Sequence, residues 1–134
     1  MLFLRFYDKG FYPILLDGKE VTSDNIDKIV QKAFKSQYTE DPISYEKFRQ
    51  INNDLKVLLI DDLHTSKLKN YTRHDTIKNF FDLFSRTLIT IDTAYSMIPQ
   101  VQAEFKDICS FSIKSLGYKK KNDLVEKYFA LKES

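Results

Sequence analysis

At 134 residues the chain is long enough for one domain with a substantial core, and its 43% apolar content, with many Phe and Tyr, excludes a disordered polypeptide. Lys and Arg number 21 against 19 for Asp and Glu, so the net charge of +2 gives no reason to expect a nucleic acid partner. The single Cys109 excludes an intrachain disulfide. With no export signal and no apolar run long enough to span a bilayer, the expected setting is the cytoplasm, away from membranes. In chain order, Met1 to Lys9 has the spacing of a short amphipathic helix, and Gly10 fits its C-terminal cap. No capping residue precedes it. Phe11 to Leu16 predicts a strand, and Asp17-Gly18-Lys19 is turn chemistry. Ser23 or Asp24 suits the N-cap of a helix with Ile26, Ile29, Val30, Ala33 and Phe34 on one face. Asp41-Pro42 breaks that pattern, and Ser44 suits the cap of a second helix reaching about Asn52.

The next stretch runs Lys56-Val57-Leu58-Leu59-Ile60-Asp61-Asp62-Leu63-His64. A continuous apolar run without polar alternation fits a parallel strand buried on both faces, and this one ends in two adjacent carboxylates. A polar connection from Thr65 to Thr72 leads to a helix over Arg73 to Phe84, with Ile77, Phe80, Phe81 and Phe84 expected in the core. Thr87 to Ile91 is the next buried strand, ending at Asp92. Tyr95 to Phe105 forms a short helix broken near Pro99. Ile108 to Leu116 suits a strand nearer the sheet edge, stopped by Gly117, and Asn122 opens a final helix. Alternation of strand and helix over a single domain, residues 1–134, predicts a three-layer α/β/α sandwich with a mostly parallel sheet.

Side chains delivered past the carboxyl ends of such strands are where chemistry collects in open α/β sheets. Two carboxylates there suit two chemistries. In nucleotide hydrolysis one strand-end Asp holds Mg²⁺ while its neighbour orients the attacking water. In a phospho-acceptor module an acid pair holds Mg²⁺ beside a third Asp. The plain alternative is a core strand with two acids at its solvent end.

The segment LLIDDLH resembles the Walker B motif of P-loop NTPases, most closely that of the signal-transduction ATPases known as the STAND group. DKGFYPILLDGKEV resembles the passage from helix to second strand in that family. LHTSKLKNYTRHDTIKNFFDLFSRTLITID resembles its Walker B loop with the following helix and fourth strand, and SLGYKKKNDLVEKYFAL resembles its closing segment. The resemblance implies a 5-1-4-3-2 parallel sheet, Mg²⁺ and ATP as ligands, and activity coupled to assembly and signalling. It places Asp61 as the Mg²⁺ ligand, Asp62 as the residue polarising the hydrolytic water, and Thr90 or Asp92 at the position that senses the γ-phosphate. Lys121 stands where the family usually has Arg, and Lys lacks the bidentate fork.

The chain departs from the family at one place. The Walker A loop, G-x-x-x-x-G-K-[ST], is nowhere in it: only Gly18 precedes a Lys, no Gly lies five positions earlier, and Glu20 stands where Ser or Thr is required. Without that loop there is no nest of backbone N–H groups for phosphates, and most of the machinery of phosphoryl transfer is missing. The family's first strand and P-loop would come just before the helix at Met1. The resemblance therefore implies a partial core, inactive alone, whose partner is an upstream polypeptide carrying the loop or a second copy meeting it along an exposed strand edge. A non-catalytic interaction core is the second expectation. A receiver-like domain is a third: Asp61, Asp62, Asp92 and Lys114 follow its order, but about thirty residues must then hold helix, strand and helix. His64 and His74 lack metal-ligand spacing and suit exposed or capping roles. Lys119-Lys120-Lys121 reads as a solvated helix entrance, and Cys109 as a small buried residue.

Overall fold

The computed structural model describes residues 2–39 and 43–106, together with residues 123, 125–127 and 130. The chain opens with α1 (Leu2–Asp8), β1 (Tyr12–Asp17), α2 (Ile26–Gln37) and α3 (Tyr45–Gln50). It continues through β2 (Lys56–Asp61), α4 (Asn70–Leu83), β3 (Arg86–Ile89), α5 (Thr93–Ser96) and α6 (Pro99–Glu104). The expected strand at Ile108–Leu116 and the basic run Lys119–Lys121 lie outside the described residues. Of the expected closing helix, residues 123, 125–127 and 130 are helical.

Local chemistry sets the boundaries. Gly10 ends α1 at φ 87°, a left-handed position that favours glycine, and its N–H donates back to the Tyr7 carbonyl at 3.0 Å. Ser44 caps α3 as expected, its Oγ accepting the Lys47 N–H at 3.3 Å. The cap of α2 is Asn25, one residue beyond the expected Ser23 or Asp24: its Oδ1 accepts the Lys28 N–H at 3.2 Å, while Ser23 Oγ accepts the N–H of Asn25 itself. Helix α4 begins at Asn70 rather than Arg73, and β3 covers Arg86–Ile89 rather than Thr87–Ile91. Thr90 and Asp92 therefore stand one and three residues past the strand.

The three strands are parallel and ordered β1-β2-β3, so the strand that ends in the acid pair is central among them. Its first five residues, Lys56 to Ile60, are all buried and Asp61 is exposed. Ile14, Leu16, Leu58 and Ile60 share one face and pack into a cluster with Val30 and Phe34 of α2, Phe48 of α3, and Ile77 and Phe80 of α4. Val57 and Leu59 point the other way and are buried as well, which is why this strand carries no polar alternation. The molecule is thus α/β with a small, open parallel sheet. Phe81 corrects the expected aromatic core of α4: it is 38% exposed, whereas Phe80 and Phe84 are buried. Arg73, Thr76, Ile77, Phe80 and Phe84 are buried, so the inward stripe of α4 is shifted toward Thr76 and Phe81 falls at its rim.

The outer edge of β1 is closed by side chains. Gln37, the last residue of α2, donates from Nε2 to the Leu15 carbonyl at 2.6 Å and accepts the Leu15 N–H on Oε1 at 2.9 Å. Tyr38 donates its hydroxyl to the Pro13 carbonyl at 2.8 Å. Residues 13 and 15 have the same parity, so the N–H that Pro13 lacks also belongs on this outer edge, where no ladder bond is lost.

Candidate functional site

The carboxyl ends of the strands bring together Asp17, Asp61, Asp62, His64, Thr90 and Asp92. Asp17 and Asp61 are register partners on neighbouring strands. Beyond them the loops after β1 and β2 touch. Gly18 is buried against the second loop: a Cβ there would run into the Asp62 carbonyl oxygen and lie 2.8 Å from Leu63 Cα. Ser66 locks the same two loops by donating its hydroxyl to the Val21 carbonyl at 2.7 Å.

Thr90 is the hub. Its N–H donates to the Ile60 carbonyl at 2.9 Å, and its carbonyl accepts the Leu63 N–H at 3.0 Å. Its Oγ1 donates to Asp61 Oδ1 at 2.6 Å and accepts the Asp62 N–H at 2.8 Å. Four bonds from one residue thus hold the backbone of Ile60 to Leu63 and the Asp61 carboxylate. The chain then turns sharply, because Asp62 adopts φ 54°, ψ 53°, the only described non-glycine residue at positive φ. Asp tolerates that region better than most L-residues. Thr65 secures the turn by donating both its N–H and its hydroxyl to the Asp62 carbonyl, at 2.9 and 2.7 Å.

Asp61 and Asp62 are both exposed, next to each other in sequence, and differ in environment. One oxygen of Asp61 accepts the Thr90 hydroxyl, while Asp62 makes no side-chain cap bond to the helical turn that follows it. Asp92 is not at a strand end. Its carboxylate accepts the Ala94 N–H at 3.3 Å and caps α5, and its own N–H donates to His64 Nδ1 at 3.0 Å. An acceptor at Nδ1 puts the ring proton on Nε2, so His64 works as a tie between the loop after β2 and the start of α5. His74 joins no metal-binding group of three His, Cys, Asp or Glu side chains; none occurs among the described residues. Lys121, Lys114 and Cys109 lie outside the described residues.

Sequence reasoning named Asp61, Asp62 and Thr90, and the fold brings all three into contact. It missed the ties made by Thr65, Ser66 and His64, and the close approach at Gly18. A turn glycine was visible; that Asp62, 44 positions on, presses against it was not. Among the described residues no helix is long and apolar enough to cross a membrane. No family model matches the chain, and neither a curated protein nor a solved structure matches it.

Proposed function

We propose that the carboxyl edge of the sheet is the Walker B half of a nucleotide-binding core of the STAND type, without hydrolytic activity on its own. The observation that carries this reading is the Thr90 contact: a polar residue just past the neighbouring strand holds the Asp61 carboxylate and the Asp62 backbone together. In a nucleotide switch, that coupling passes a change at the phosphate from the acid pair to the next strand. The order β1-β2-β3 is also the order expected of the second, third and fourth strands of a 5-1-4-3-2 sheet.

The donor set fits Mg²⁺, which takes one or two carboxylates and leaves its remaining positions to water and phosphate oxygens. Asp61 would hold the ion and Asp62 would orient water. Bound there, Mg²⁺ would offset the charge of the phosphates. Asp61 is held in place by Thr90, and Asp62 is exposed to whatever docks at the edge. Asp92, engaged as a helix cap, serves better as a positioning residue than as a phosphate sensor, which leaves Thr90 as the sensor. The phosphate cradle has to come from residues outside these 134, since they contain no Walker A loop. A second reading, a non-catalytic interaction core, is favoured by Leu88, which is 47% exposed on β3.

Anisotropy titrations with a fluorescent ATP separate the two. They would use the chain alone and the chain joined to a strand–G-x-x-x-x-G-K-[ST] segment translated from the DNA upstream of Met1. Binding that needs both Mg²⁺ and the added segment, and weakens about tenfold or more in Asp61→Asn, is the expected result. Absence of such a segment, or binding indifferent to Mg²⁺ and to Asp61, would overturn the nucleotide reading in favour of the interaction core.

A further inference from the structure

At the opposite end of the sheet, where β2 begins, a cleft of about 380 Å³ opens between α2, α3 and the end of α4. Lys56 lines it and is 4% exposed. Its Nζ donates to the Arg49 carbonyl at 3.0 Å and to Asn53 Oδ1 at 3.3 Å, and lies 5.2 Å from the centre of the Phe48 ring. All three partners are neutral. Among the described residues no carboxylate comes within salt-bridge distance of Nζ. A buried ammonium without a counter-charge is unusual, because desolvating a charge is costly unless it is paired.

The remaining charges of the cleft do not supply the pair. Asp27 is 3.6 Å from Arg49 and accepts the Tyr45 hydroxyl at 2.8 Å. Burial first, and then the bond to Asp27, hold the Tyr45 phenol well above its usual range, so it stays a neutral donor. Two cations therefore face one carboxylate that is already engaged. The ammonium has three N–H donors and two acceptors, which leaves one donor over. Around it, Val30, Phe48, Leu83 and Phe84 give the cleft apolar walls, and its volume is at the small end of ligand sites.

We propose that this cleft binds a small monocarboxylate with an apolar body, its carboxylate on Lys56 and its body against Val30, Phe48, Leu83 and Phe84. One excess positive charge suits a monoanion. A phosphate dianion would bring one negative charge too many into apolar walls. The site is independent of the nucleotide reading, which concerns the other end of β2.

The test is titration of the ¹⁵N-labelled chain with sodium 4-methylbenzoate, followed by ¹H–¹⁵N correlation spectra, with 4-methylbenzamide as the neutral isostere. Saturable shifts at the amides of Arg49, Asn53 and Lys56 are expected, with the benzamide at least about tenfold weaker. Lys56→Met should weaken the benzoate by about tenfold or more, and Lys47→Met, an exposed charge on the same helix as Arg49, should leave it unchanged. Equal binding of acid and amide, or no saturable shift up to about 20 mM, would overturn the proposal. So would an undiminished affinity in a folded Lys56→Met protein. If that variant does not fold, the comparison of acid and amide on the unaltered chain decides.

Discussion

Thr90 shows how much one exposed side chain can hold. Its hydroxyl gives a hydrogen bond to a carboxylate and takes one from a backbone N–H, and both partners belong to the acid pair. Bonds to charged groups are worth more than neutral ones, though exposure to solvent reduces the gain. Replacing Thr90 by Val keeps the shape and removes both bonds, and should lower stability by about 2 kcal/mol, measured by urea unfolding. Thr90→Ser should restore most of that loss, because the hydroxyl returns. A full loss in the Ser variant would mean that the methyl packing, not the hydroxyl, secures the loop. Lys56 is the other residue whose surroundings matter more than its type. A Lys before an apolar run reads in sequence as the solvated start of a strand, yet its ammonium is folded under against Phe48. Only the packing of α3 against β2 decides that, and no periodicity carries it.

At the scale of elements, the β2 run and its acid pair were legible because a doubly buried strand has few ways to be written. The Ser44 cap and the Gly10 stop were legible because each was the one suitable residue at its place. The cap of α2 was ambiguous for the opposite reason: Ser23, Asp24 and Asn25 all cap well, and the choice falls to the turn in front of them. Phe81 was misplaced because it fits the apolar spacing of Ile77, Phe80 and Phe84, while the buried Arg73 and Thr76, polar in sequence, shift the inward stripe away from it. The closure of β1 by Gln37 was invisible, since a polar residue at the end of a helix says nothing about a strand 22 positions earlier. That closure is testable. Gln37→Ala should cost about 1–2 kcal/mol in urea unfolding, and should expose the Leu15 N–H and carbonyl as an open edge. Concentration-dependent light scattering absent from the unaltered chain is the expected sign. Unchanged stability and scattering would mean that the Gln37 bonds exchange freely with water.

For the whole molecule, charge is divided between the ends of β2. Acids gather at its carboxyl end, and at its start Lys56 and Arg49 face the single carboxylate of Asp27, although the net charge is only +2. This division predicts an alkaline response. Burial, and then the nearby Arg49 charge, lower the Lys56 pKa below its ordinary 10.5. Between the lowered and ordinary values the unfolded chain holds more protons than the folded one, so stability rises with pH there. Below that window the burden of the buried charge is fully present. Tyr45 acts in the opposite sense: its raised pKa keeps the proton in the folded state, so its contribution is lost as pH rises above about 10. Urea unfolding from about pH 7 to 10 should show the stability of the unaltered chain rising relative to Lys56→Met. A flat difference would mean that Lys56 is better hydrated than its burial implies. The side-chain closure of β1 also sets a direction for growth. With that margin occupied by Gln37 and Tyr38, the edge of β3 is the one left unpaired among the described residues. Two copies meeting there would use up both available margins at once. Among the described residues, such a union would leave no strand edge open to a third copy.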